Sequence, residues 1–204
     1  LISGPLGTMV GLYETAIDRL CERPGADGEP VRPKIIASTA TVRRAEAQIR
    51  ALCEATEASG HELLLEIIPP RGLPRAPDTM LRALRRLYNL GFMPEWWKLE
   101  PMGAEEWRDV DALIAERDPY CRGVLILGQS AEVESLAQGF RDAAGSRTCR
   151  GFAVGRTIFQ APSRAWLAGE IDDAEFKARV RATFERLIDA WREARSPDGQ
   201  RGAR

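Results

Sequence analysis

The chain has 204 residues, 44% of them apolar, enough for one domain or one domain with an appendage. Its 29 Lys and Arg nearly cancel its 30 Asp and Glu, leaving a formal net charge of -1, so nothing in the charge draws it to nucleic acid or a membrane surface. It has no apolar run of about 18 residues and no basic n-region at Leu1-Ile2-Ser3-Gly4-Pro5. Neither a membrane span nor a signal peptide is expected, and the start reads as a chain that begins within a domain.

The first 60 residues form an irregular opening. Residues 8–21 have the pattern of a helix, and residues 22–33 form a polar loop rich in Gly and Pro. Lys34-Ile35-Ile36-Ala37 predicts a short strand, and residues 41–59 predict a helix that Ser38 or Thr41 can cap.

From residue 62 the pattern becomes regular. Leu63-Leu64-Leu65-Glu66-Ile67-Ile68 reads as a buried strand closed by Pro69-Pro70. Asp78 can cap a helix with Leu81, Leu84, Leu87 and Tyr88 at helical spacing, which Gly91 ends. Trp96-Trp97-Lys98-Leu99 is a second strand, stopped by Pro101. The helix after it carries Trp107, Val110, Leu113 and Ile114 on one face. Gly123-Val124-Leu125-Ile126-Leu127-Gly128 is the third strand, with a helix over about 131–144 after it. Gly151-Phe152-Ala153-Val154-Gly155 is the fourth, and helices near 163–168 and 172–195 finish the unit. The tail, 196–204, is rich in Gly, Arg and polar residues and reads as disordered.

Strands thus begin near residues 62, 95, 123 and 151, a spacing of about 30 residues that matches one βα unit of a parallel sheet. Nearly continuous apolar strands imply that both faces are covered. The fold expected is α/β, a partial (β/α) TIM-type barrel of about four βα units, with an open doubly wound sheet as the rival.

In a parallel barrel, chemistry gathers at the C-terminal ends of the strands. The first strand ends near Glu66 and Arg71, the second near Lys98 and Glu100, the third at Gly128, and the fourth at Gly155-Arg156. Lys98 lies inside an apolar strand. Burial disfavours the charged ammonium, and the neutral amine is the nucleophile that forms a Schiff base with a ketone. The alternative is a structural ion pair with Glu66 or Glu100. Alternation places Glu66 on the same strand face as Leu64, where a carboxylate beside an amine could carry protons. Gly128 and Gly155-Arg156 resemble a phosphate cup, with backbone amides and a bidentate guanidinium. The bland alternative is an exposed loop arginine.

Cys21, Cys53, Cys121 and Cys149 form no C-x-x-C pair and His61 is the one histidine, so no metal site is expected. Isolated cysteines read as small buried hydrophobes in a reducing cytoplasm.

Several stretches together carry a resemblance: residues 61–70, Leu87-Tyr88-Asn89-Leu90-Gly91, Trp96-Trp97-Lys98-Leu99-Glu100-Pro101, 116–123 and 149–159. Over about residues 51–195 the chain resembles the C-terminal domain of bifunctional 5-dehydro-2-deoxygluconokinase/5-dehydro-2-deoxyphosphogluconate aldolases, itself similar to tagatose-bisphosphate aldolase. The resemblance implies a class I aldolase, an aldehyde-lyase of inositol catabolism without cofactor or metal. It implies Lys98 as Schiff-base lysine and Glu66 as its acid/base partner. It implies Gly155 and Arg156 as phosphate ligands, while Gly128, Arg71 and Glu100 are candidate substrate contacts from their places at the strand ends. The implied reaction cleaves 5-dehydro-2-deoxygluconate 6-phosphate to dihydroxyacetone phosphate and malonate semialdehyde. Family members carry the first half of the barrel before this segment, and that half has no counterpart here.

Residues 1–8 and 33–41 are similar to a superfamily 2 helicase around its Ser-Ala-Thr-type motif, without the phosphate-binding loop or the acidic box, so this piece is not expected to be an ATPase. Three parts follow: 1–50 helicase-like, 51–195 aldolase-like, 196–204 tail. The partner expected is a phosphorylated sugar-acid substrate. No membrane or nucleic-acid partner is expected. Two half-barrels, each with open strand edges, could pair as a homodimer that completes the barrel. The competing readings are a non-catalytic sugar-phosphate-binding remnant and a fragment of a nucleic-acid motor.

Overall fold

The computed structural model describes residues 45–69 and 76–196, and the backbone of short strands at 23–24, 30–31 and 35–38. Strands β1 (Arg23–Pro24) and β2 (Pro30–Val31) pair as an antiparallel ribbon. The main unit alternates strands and helices: β3 (Ile35–Ser38), α1 (Ala45–Ser59), β4 (Leu63–Glu66), α2 (Thr79–Asn89), β5 (Trp96–Leu99), α3 (Ala104–Arg117), β6 (Gly123–Leu127), α4 (Val133–Asp142), β7 (Cys149–Ala153), α5 (Arg156–Leu167) and α6 (Asp173–Arg195). The helix expected over 8–21 and the tail residues 197–204 lie outside the described residues.

Among the described residues the main sheet has five strands, all parallel, in the order β3-β4-β5-β6-β7. The order never reverses, whereas a doubly wound sheet requires a reversal. Right-handed crossovers between consecutive neighbours stack the connecting helices on one face. The core agrees. Trp97, Leu99, Val124 and Ile126 pack in one cluster with Leu84, Tyr88, Trp107 and Phe140 from the helices. Leu64 and Leu127, on the opposite strand face, are buried but stand outside that cluster.

Local signals set most boundaries. Met80, Leu84 and Tyr88 recur at helical spacing and form the buried stripe of α2. Gly91, with φ of 82°, ends it: its N–H donates to the Tyr88 carbonyl at 3.0 Å, and that of Phe92 to Leu87 at 3.1 Å. Asp172 caps α6 by accepting from the Glu175 N–H at 2.8 Å. At the far end of α6, Arg195 donates to the Cys149 carbonyl at 2.7 Å and lies over the Trp191 ring. The stacked Phe140 and Phe152, with Trp191 edge-on to Phe140, fasten α4 and α6 to β7.

Two expectations shift. The helix expected near 163–168 begins at Arg156 instead and runs through Pro162. Proline usually marks a helix start because it lacks an N–H. Here Pro162 is buried within the helix, which forgoes one hydrogen bond at that point. The strand near residue 35 joins the same sheet, in parallel register with β4. Residues 48–55 fall within α1, whose Ile49 belongs to the core.

A second knot ties α3 to the entry of β7. The buried carboxylate of Asp111 accepts from Ser146 Oγ and Arg147 N at 2.8 Å, Thr148 N at 3.1 Å, and Thr148 Oγ1. Removing the carboxylate strands these donors. Asp111→Ala is expected to lower the unfolding free energy by about 3 kcal/mol in urea titration, with Asp111→Asn losing less. Equal, near-zero losses would mean that the network carries no stability.

Candidate functional site

The C-terminal ends of the parallel strands form one edge of the sheet, where backbone order brings together residues distant in sequence. Glu66 is the last residue of β4 and Lys98 the third of β5, and the two are register partners. In a parallel ladder, partners project to the same face. Lys98 Nζ lies 2.8 Å from Glu66 Oε1, with side chains 16% and 13% exposed. The ladder continues beyond them, as the Ile67 N–H donates to the Lys98 carbonyl at 3.0 Å. On the other side Lys98 is in register with Leu125, and Leu125 with Gly151. The pair therefore sits in a row running from Ser38 through Glu66, Lys98 and Leu125 to Gly151.

Trp97 and Leu99, flanking Lys98, are fully buried against the helices. Trp97 also donates its indole N–H to the Tyr88 hydroxyl at 2.8 Å. This anchorage holds the β5 backbone, so Lys98 is carried on a rigid element.

Of the other expected residues, Glu100, Gly128, Gly155 and Arg156 follow the strand ends along the same edge. Glu100 follows β5 by one residue and is half-buried. Gly128 follows β6 directly, Gly155 precedes α5, and the exposed Arg156 opens it. Arg71 lies outside the described residues. A Cβ on Gly128 would come within 2.7 Å of Val154 Cγ1, so the close approach at Gly128 is to a neighbouring valine. Arg156 borders a groove of about 530 Å³ that Ser130, Glu132, Thr157, Gln160 and Arg164 also line. Another depression, about 410 Å³, lies between Pro101 and Gly139 and holds none of the expected residues.

Sequence reasoning missed the turn after β6. Gln129 and Ser130 both adopt left-handed backbone conformations, with φ of 45° and 65°. Neither residue type signals that geometry. The turn is pinned to α5 by the Thr157 hydroxyl, which donates to the Ala131 carbonyl at 2.8 Å.

This half-buried contact sets an amine side chain beside a carboxyl side chain. A lysine amine can serve as a nucleophile toward a carbonyl, and a carboxyl group as a proton carrier. Among the described residues, no group of at least 3 His, Cys, Asp or Glu side chains is placed to hold a metal ion. No described helix is long and apolar enough to cross a membrane.

Fold and site together define an all-parallel α/β domain with a Lys–Glu pair at the C-terminal edge of its sheet. Over residues 37–195 the chain belongs to the family described as "Uncharacterized protein conserved in bacteria (DUF2090)". A stretch of 93 residues, 45% of the chain, is 41% identical to the DISARM protein DrmA of Bacillus paralicheniformis and spans 7% of that protein's length.

The free thiols of Cys121 and Cys149 are poor rivals for the nucleophile's role. Burial pushes both up to about 11, from an ordinary 9.0. Between those values the folded chain keeps protons that the unfolded chain has released, so stability is expected to fall as pH rises from 9 towards 11. Urea midpoints on either side of that window check this, and a flat profile would contradict it. Alkylation of native protein by iodoacetamide at pH 8 is expected to be much slower than of urea-unfolded protein.

Proposed function

We propose that this chain carries out class I aldolase chemistry on a phosphorylated keto acid, with Lys98 as the Schiff-base lysine and Glu66 as its acid/base partner. The observation that carries the reading is the 2.8 Å contact between Lys98 Nζ and Glu66 Oε1 at the C-terminal edge of the parallel sheet. The consecutive strand order supports a partial (β/α) barrel, in which that edge is the catalytic one. The five described strands fall three short of the eight in a full barrel, so closure needs strands from elsewhere.

The chemistry follows from the pair. Proton transfer from Lys98 to Glu66 leaves a neutral amine, which adds to the substrate ketone. Glu66 then gives its proton to the departing hydroxyl, water leaves, and an iminium forms. The iminium draws electrons from the neighbouring C–C bond. Glu66, now a carboxylate, takes the proton of the hydroxyl one carbon further on. That carbon leaves as an aldehyde, and the remaining enamine is protonated and hydrolysed to free the ketone and the lysine. For 5-dehydro-2-deoxygluconate 6-phosphate the aldehyde is malonate semialdehyde and the ketone dihydroxyacetone phosphate. Arg156, beside the groove at the start of α5, is the cation proposed for the phosphate, with Gly155, Gly128, Arg71 and Glu100 as further substrate contacts.

A second reading rests on the helicase-like pattern of residues 1–50 and on the partial likeness to the DISARM protein DrmA: a nucleic-acid motor fragment joined to a non-catalytic domain.

Borohydride trapping separates the two. The chain is incubated with dihydroxyacetone phosphate, reduced, and mapped by peptide mass. The aldolase reading expects one adduct, at Lys98, lost in Lys98→Ala and slowed about 100-fold or more in Glu66→Gln. A folded chain that forms no adduct contradicts it and leaves the second reading.

A further inference from the structure

The turn that joins β6 to α4 combines three features that packing alone does not require together. Gln129 and Ser130 are consecutive left-handed residues, and neither is glycine, so the turn is strained. It is held from both sides, by Val154 against Gly128 and by the Thr157 hydroxyl on the Ala131 carbonyl. The Gln129 side-chain nitrogen, Nε2, is buried and meets no acceptor. Buried donors nearly always find a partner, and an unmet one costs stability.

The place of this donor sets it apart. Among the described residues the other buried side-chain atoms without a partner are on Trp107, Asp118 and Arg195. Trp107 and Arg195 belong to helices α3 and α6, and Asp118 follows α3 at the opposite edge of the sheet. Gln129 alone lies beyond the C-terminal end of a strand, and that strand, β6, pairs directly with the one bearing Lys98. Strain held in place beside a candidate active edge, with a donor left unmet, is the pattern of a ligand clamp.

We propose that Gln129 is a specificity-determining residue whose side-chain amide donates to an oxygen on the ketone-bearing part of the ligand. The ligand class, a small phosphorylated ketone, rests on the aldolase reading above. The assignment of the turn as a ligand clamp does not. The nitrogen is shut off from solvent, so a ligand reaches it as the turn shifts, and the two left-handed residues store strain that such a shift releases.

The test follows the Gln129 side-chain amide by ¹⁵N–¹H NMR, with its signal assigned by its loss in Gln129→Met. The whole chain and its Lys98→Ala variant are each titrated with dihydroxyacetone phosphate and, separately, with inorganic phosphate. A saturable shift with dihydroxyacetone phosphate in both proteins, and none with phosphate, is expected. Its persistence in Lys98→Ala keeps the result independent of Schiff-base formation: a shift without any borohydride adduct would sink the aldolase reading and leave Gln129 in place. No shift, with or without an adduct, overturns the role of Gln129, as does an equal shift with phosphate alone. Gln129→Met is expected to keep or raise Tm, because it removes an unmet buried donor, while raising the half-saturating ketone concentration roughly tenfold. A lower Tm with unchanged ketone binding would make the amide structural and overturn the proposal.

Discussion

The register between β4 and β5 fixes what this sheet edge can do. It sets Glu66 opposite Lys98, so a carboxylate and an ammonium project to one face and meet at 2.8 Å. A slip of one residue would turn Lys98 to the helix side and bring Trp97 out. The register is held by burial: Trp97 and Leu99 are locked into the helix layer, and Tyr88 accepts from the Trp97 indole. A half-buried ion pair contributes little net stability, because desolvation offsets most of the attraction.

Strand order does the rest of the positioning. Each strand lies beside its predecessor, so the strand ends follow one another along a single edge. Glu66, Lys98, Gly128 and Gly155 are up to 89 residues apart in sequence yet occupy successive strand ends. The opposite edge holds structural groups instead. There Glu95 accepts from the Leu63 N–H, Glu62 binds the Trp96 indole and Arg122, and Asp111 gathers its donors. Stability at one edge and candidate chemistry at the other is the division of labour seen in parallel barrels.

Much of this was legible in the sequence because the signals were local and strong. Continuous apolar runs bounded by Pro and Gly gave β4 through β7, and alternation gave the face of Glu66, whereas the face of Lys98 came only with the register between β4 and β5. The rest depended on contacts that sequence does not display. A helix was expected near 163–168, whereas α5 starts at Arg156 and runs through the buried Pro162. Gly128 reads as a cradle for an anion, while the atom nearest its missing side chain belongs to Val154, 26 residues on. Gln129 and Ser130 carry no signature of left-handed backbone, so their strain is visible only in the fold. The sheet also extends further back than the change in pattern near residue 62 suggested, because β3 pairs with β4 through backbone groups that any sequence supplies.

The central claim is that Glu66 and Lys98 act as one unit, and a double-mutant cycle tests it most directly. Unfolding free energies are measured for the native chain, Glu66→Gln, Lys98→Met and the double variant. The account predicts a coupling of about 1–3 kcal/mol, each single change costing more than its share because it leaves the other charge unpaired. Additive effects, with a coupling near zero, would mean that the two side chains do not meet in solution and would contradict the account.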